Sequence, residues 1–377
     1  MQKQSFTELL YFLLIISDTM NILFVTGHPA QVHNFRLVRE ELIKKGHQVY
    51  WLTTNKDICV QLLNTYGIPH QVLKKPQKTF SSRSKTLLVN TFFVLKFLCK
   101  HKINIAITRT DPYTSVAAFL LRKKHIILDD TEHAAKMSRP FAVLSSAIIL
   151  PRCYTELLRK DQLYFAGNIE LFYLHKKRFT PSEPYSLLGI QPNEKYAIVR
   201  FVKWDAYHDK GLAGGFSTEN KIELAQRLSQ HVKVFITSED KIPEALEPYQ
   251  IHIPIERMHD VLAGASLFIG ESATMASESV VLGTPAVYID EVGRGYTDEE
   301  CENGLLYMFR PNEQLASIDK AVQVVSSAFN RIEFDVHYQD FISQKIDPTA
   351  FLTWFIENYP QSKHIMIKNP DYQYTFK

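Results

Sequence analysis

The feature that most constrains this chain is a rhythm. From Met20 onward, short apolar runs alternate with amphipathic segments. NILFVTG precedes a helical pattern over Val32 to Lys45, HQVYWLTT one over Lys56 to Tyr66, and INIAITR one over Tyr113 to Arg122, with HIILDD and AIILP following. Strands alternating with helices imply βαβ units and a parallel sheet. Gly46, just after two lysines, fits a helix stop with cations well placed against the helix dipole. Asp161 to Gly189, with GN and FTPSEP, breaks the rhythm and reads as a connection. A second alternation then begins: KYAIVRFV, a helix around Asn220 to Gln230, HVKVFITS, IHIP, Glu256 to Gly264, SLFIGES, a helix over Ser272 to Leu282, TPAVYID, and a helix near Asn312 to Phe329.

A length of 377 residues exceeds what one hydrophobic core organises, so two domains are expected. The organisation predicted is an N-terminal extension over 1–19, a doubly wound domain over 20–160, the connection over 161–189, a second doubly wound domain over 190–346, and a terminal helix and tail over 347–377. DPTAFLTWFIENY in that tail is suited to crossing back and bracing the first domain. LLYFLLII, Leu9 to Ile16, is much shorter than the roughly 20 apolar residues that span a bilayer. A formal charge of +3, without long runs, argues against nucleic acid as the main partner. KTFSSRSK and HKKRF are local basic patches that leave room for peripheral membrane association. Cys59, Cys99, Cys153 and Cys301 stand far apart with no C-x-x-C pair, which indicates neither a zinc site nor a disulfide framework and fits a reducing, cytoplasmic compartment.

In doubly wound folds ligands bind beyond the carboxyl ends of the strands, so the polar clusters there are the candidates. GHPAQVHNF brings Gly27, for a tight turn, and His33, a candidate general base at a helix entry. The lack of G-x-G-x-x-G disfavours a nicotinamide enzyme. ITRTDPYTS and ILDDTEHA bring Asp111, Asp129, Asp130, Glu132 and His133, suited to proton transfer or hydroxyl recognition, with helix capping the alternative for Asp111. RFVKWDAYHD brings Arg200 and Lys203, which can neutralise phosphate, Trp204, which can cover a ring face, and Asp205, His208 and Asp209. In SLFIGESATMASESVVLGTPAVYID, Ser266 to Asp290, Gly270, Glu271, Ser272, Ala273 and Thr274 form a small-residue turn into a helix. The free N–H groups of that helix suit a phosphate, and Glu278 is placed to accept from a ribose diol. The blander account is that Ser272 or Thr274 only caps the helix and Glu278 is solvated.

ESATMASESVVLGTPAV resembles the nucleotide-binding segment of two-domain glycosyltransferases of the GT-B fold, and matches in register that of the UDP-N-acetylglucosamine 2-epimerases. Together with GHPAQVHNF, DDTEHA, FAGNIELFYLH with FTP, and RFVKWDAYHD, it closely resembles the family called domain of unknown function 354, over nearly the whole chain after Met20. The resemblance implies an α/β, GT-B-like chain of two doubly wound, Rossmann-like domains facing a cleft. It implies a nucleotide sugar, first of all a UDP-sugar, in the second domain, with Ser272, Ala273 and Thr274 near the diphosphate and Glu278 near the ribose. It further implies a glycan or lipid-linked acceptor in the first domain and no obligatory metal or cofactor. Ala273-Thr274 replaces the Gly-Gly pair of the epimerase pattern.

A glycosyltransferase is the first expectation. In it His33 or one of Asp129, Asp130 and Glu132 deprotonates an acceptor hydroxyl, and Arg200 or Lys203 steadies the departing diphosphate. A 2-epimerase is the second, with Asp111, Asp129 and His208 as candidates for proton movement at the sugar. A non-catalytic sugar-nucleotide binder is the third, disfavoured by the density of acids, bases and cations.

Overall fold

The computed structural model describes residues 19–54, 58–74, 80–202 and 215–377. The Leu9 to Ile16 run, Lys203, Trp204, Asp205, His208 and Asp209 lie outside the described residues. The chain divides into two compact units, the first made of Met1–Arg152, Glu156–Phe172 and Ile346–Lys377, the second of Cys153–Thr155 and Tyr173–Lys345.

The first unit is built on seven strands: β1 (Asn21–Thr26), β2 (Gln48–Thr54), β3 (Gln71–Leu73), β4 (Ile105–Thr108), β5 (Lys124–Leu128), β6 (Ala147–Pro151) and β7 (Leu163–Phe165). They are all parallel, in the order β3-β2-β1-β4-β5-β6-β7. Helices cover the sheet, which is why β4 and β6 are buried at every position and almost wholly apolar, Thr108 at the end of β4 being the polar one. β7 lies inside the stretch that the sequence marks as a connection, because it is a three-residue strand with no alternation to betray it.

The helix Pro29–Lys44 starts where His28 caps it through Nδ1, with Pro29 pre-set for the first turn, and stops before Gly46, whose φ of +92° few other residues adopt. Against it packs the helix Pro348–Glu357, capped by Asp347, and Glu357 receives Lys45 Nζ at 2.6 Å and faces His47 Nε2 at 3.2 Å. The longest helix, Phe80–Lys100, is absent from the sequence alternation. Its apolar residues run nearly all the way round, which blurs the stripe. Val94, Phe97 and Leu98 bury one side against Tyr113, Ala117 and Ala118 of the helix Pro112–Leu120.

The second unit holds β8 (Tyr196–Phe201), β9 (Lys233–Ser238), β10 (Leu267–Gly270), β11 (Ala286–Ile289) and β12 (Leu306–Phe309), parallel in the order β12-β11-β10-β8-β9. Alternate side chains sort to two cores. Val199, Leu267, Ile269 and Val287 face one side with the helices Thr218–Leu228 and Gln314–Val325, while Ile198, Phe268 and Tyr288 face the other with Met258–Gly264 and Ala273–Val281. IHIP, expected as a strand, forms none. Pro254 has no N–H to donate, and only a lone bridge, Ile236 to Gln250, forms just before it.

Each strand order reverses direction once, between β1 and β4 in the first unit and between β8 and β10 in the second. Such a reversal opens a crevice at the carboxyl ends of the two strands.

Candidate functional site

In the second unit, that crevice lies at Arg200 and Gly270. A Cβ on Gly270 would collide with the carbonyl oxygen of Arg200, so only glycine lets β10 pair with β8 this closely. Glu271 follows, buried, and its carboxylate accepts from Val202 N at 2.9 Å and Phe216 N at 2.7 Å. A Cβ on Gly215 would overlap this same carboxylate. Glu271 thus ties together the two sides of the 203–214 stretch.

Ser272 caps the helix Ala273–Val281, its Oγ accepting from Met275 N at 3.4 Å. The N–H groups of Ala273 and Thr274, the first two of the helix, have no acceptor within it. Thr274 and Glu278 are four residues apart and share a face. The solvated Glu278 of the blander account does not occur. The residue is 5 % exposed, and its Oε1 accepts from the Tyr173 hydroxyl at 2.7 Å and pairs with His259 Nε2 at 3.0 Å. The rings of Tyr173 and His259 stand 5.2 Å apart. No hydrogen bond from the described residues reaches the other oxygen, Oε2. One half of a buried carboxylate is therefore fixed and the other half is open to a donor.

Arg200 is not a freely presented cation, since its Nη2 holds Glu239 at 2.6 Å, while its buried Nε has no partner among the described residues. At the end of β11, Asp290 gathers the Tyr288 hydroxyl and Arg294, whose Nη1 lies 3.0 Å from the carboxylate. Burial pushes the Tyr288 phenol well above its ordinary range, so the hydroxyl stays protonated and donates.

In the first unit a cavity of about 120 Å³ opens at the ends of β1, β2 and β4, lined among others by Thr26, Gly27, Gln31, Arg109, Thr110 and Asp111. That is less than the roughly 300 Å³ of a whole ligand pocket and suits one group of a larger molecule. Gly27 is not needed for a tight turn there. Its φ lies outside the left-handed region, and an added Cβ would make only an ordinary contact with Thr54. Its N–H donates to Gln31 Oε1 at 2.7 Å. Asp111 caps the helix Pro112–Leu120 through Thr114 N at 2.8 Å, and burial raises the proton affinity of its carboxyl.

The other acids are spent on structure. Asp129 Oδ1 accepts from Arg109 Nε at 3.1 Å and from the N–H groups of Asp130 and Thr131, while Oδ2 accepts from the Thr110 hydroxyl at 2.6 Å. Asp130 meets the same guanidinium. His33 is buried in the second turn of its helix, with Nδ1 3.4 Å from the Tyr66 hydroxyl, and does not line the cavity. Glu132 is half-buried and His133 exposed in a single 3₁₀ turn, Glu132–Ala134, also away from the lining. Among the described residues no three His, Cys, Asp or Glu side chains gather closely enough to hold a metal ion.

The sequence reading missed Arg109, Tyr173, His259 and Arg294. Arg109 sits beside Asp111 in ITRTD, and Tyr173 lies in the run FAGNIELFYLH, so both had a local signal. His259 had none, since it reaches Glu278 only through the packing of its helix.

No family model matches the sequence, and no curated protein matches it. Solved structures do. A UDP-GlcNAc 2-epimerase from Neisseria meningitidis, bound to UDP-GlcNAc, superposes with a TM-score of 0.61 at 16% identity, over 93% of this chain and 99% of that one. The UDP-GlcNAc 2-epimerase of Methanocaldococcus jannaschii matches with a TM-score of 0.58 at 13% identity, over 86% of this chain and 100% of that one. CalG4, the calicheamicin glycosyltransferase, matches with a TM-score of 0.56 at 15% identity, over 91% and 98%. The fold is thus α/β and GT-B-like, with two parallel-sheet units, and the neighbours that share it are enzymes of both kinds.

Proposed function

We propose that this protein is a GT-B-type glycosyltransferase of the domain of unknown function 354 family. It moves a sugar from a nucleotide-sugar donor, first of all a UDP-sugar, to the hydroxyl of a glycan or lipid-linked acceptor in surface polysaccharide or glycoconjugate biosynthesis. The observation that carries the reading is the half-held carboxylate of Glu278, one face with the open amides of a helix entry and directly after the Gly270 close approach. A ribose diol donates to Oε2, and the Ala273 and Thr274 amides with Ser272 take the diphosphate. Arg200 and Lys203 steady the leaving group. Glu271 shapes the site from behind, and Asp205 and His208 keep their assignment to hydroxyls or protons. The group that takes the acceptor proton is Asp111, because it lines the cavity and its raised proton affinity suits a base. Asp129 and Asp130 orient Arg109 beside it. No metal is required, and the setting is the cytoplasm at the inner face of the membrane.

The second reading, a nucleotide-sugar 2-epimerase, is favoured by the Neisseria neighbour with UDP-GlcNAc bound. One experiment separates the two. The protein is incubated with UDP-, GDP-, CDP- and TDP-sugars without acceptor, and sugar configuration and nucleotide release are followed together. The transferase gives no epimer. Epimer formation without acceptor establishes the second reading instead, and binding of no nucleotide sugar rejects both. In the same assay Glu278→Gln, which loses the charged acceptor, is expected to weaken nucleotide binding about 10- to 100-fold.

A further inference from the structure

The helix Phe80–Lys100 contains no Asp or Glu in 21 residues, and neither does the stretch from Pro112 to Lys124. The two helices pack side by side, and each ends just before a strand, β4 and β5, whose first residues Ile105 and Lys124 pair in parallel. Their C-terminal ends therefore lie together at the amino-terminal ends of the strands, opposite the cavity of the first unit. Lys100, Lys102, Arg122 and Lys124 are exposed there with no acid on either helix to offset them. Cations at helix C-termini are ordinary, because they complement the dipole.

The apolar side chains on the outer faces of the same two helices are not ordinary. Leu88 is 72% exposed, Phe92 58%, Phe119 57% and Leu120 60%. Leu88, Phe92 and Lys96 follow one another at four-residue steps along the outer face of the long helix, and Lys96 Nζ stands 4.6 Å from the centre of the Phe92 ring. The inner face of the same helix is already occupied by the core. No helix among the described residues is long and apolar enough to cross a membrane.

Exposed apolar side chains on two neighbouring helices that carry lysines and no acid have the chemistry of a surface that lies on an anionic bilayer, with the rings in the acyl boundary and the ammonium groups among the headgroups. A second copy of the chain does not fit, since two such faces would set cations against cations. We propose that this face, formed by the helices Phe80–Lys100 and Pro112–Leu120, docks the protein on an anionic lipid surface, independently of which sugar chemistry the strand ends perform.

The test is co-sedimentation of the full chain with vesicles of phosphatidylcholine alone and of phosphatidylcholine with 30 mol% phosphatidylglycerol. Expected is partitioning to the phosphatidylglycerol vesicles only, reversed by raised salt. The double variant Leu88→Glu/Phe92→Glu, and separately Lys100→Glu/Lys102→Glu, should each lower it by tenfold or more. All four positions are on the surface, and an unchanged thermal midpoint verifies that each variant is folded. Equal binding to both vesicle types, no binding to either, or full binding by a folded double variant would each overturn the proposal.

Discussion

A carboxyl that caps a helix and also lines a cavity is pulled two ways, and Asp111 is such a group. Its folded pKa is raised by burial, so the stability it contributes is fully present below the unfolded value and lost as pH rises through the folded one. Asn caps as well as Asp and carries no charge. Asp111→Asn is therefore expected to hold or raise stability at neutral pH, read from urea midpoints, while turnover falls about 10²- to 10⁴-fold. His125 runs the other way. It is fully buried on β5 with Nε2 2.9 Å from Thr108 Oγ1, and burial pushes its pKa down to about 3. The unfolded chain takes up a proton near the ordinary value of about 6.5 that the folded one refuses, so stability is complete above that value and drains away as pH falls from there toward 3. His125→Gln should flatten that slope, measured as the difference in urea midpoint between pH 7 and pH 5; an unchanged difference would exclude His125 as its source. At this scale Gly270 and Glu278 were legible, because a glycine before a helix entry and an acid one turn later leave a pattern. His259 was not, since its contact with Glu278 is made by tertiary packing that leaves no spacing behind.

The elements that matter most are those that meet at the β8–β10 crevice. Gly270→Ala puts a methyl against the Arg200 carbonyl, where backbone has nowhere to yield, and is expected to cost about 3 kcal/mol of unfolding free energy. Chemical denaturation monitored by circular dichroism measures it; a loss below a few tenths would mean that the strands part more easily than their register suggests. Most strands announced themselves, because a strand buried on both faces is a continuous apolar run. β3 and β7 are too short for that, and IHIP imitates a strand by composition while Pro254 denies it a ladder. The helix Phe80–Lys100 escaped for the opposite reason. An exposed face that carries Leu88 and Phe92 looks, in one dimension, like a buried one.

Across the whole molecule, two alternations of strand and helix in a chain of this length were enough to read two doubly wound α/β units. What the alternation does not record is how the chain returns. After the second unit, Ile346 N donates to Ala166 O at 2.8 Å and Thr349 Oγ1 to Phe172 O at 2.6 Å, so the first unit holds the entrance and the exit of the insertion side by side. Insertions whose ends are neighbours are tolerated and removable. A chain in which a short Gly-Ser linker replaces 173–345 is expected to fold cooperatively, seen as a single urea transition with native-like circular dichroism, and a chain that stays unfolded would reject the insertion reading. The same return also sets an order in time. Synthesis runs from the N-terminus, and the helix Pro29–Lys44 is made early, whereas its packing partner Pro348–Glu357 is made only after the entire second unit has emerged. The unit that begins first is the one that closes last.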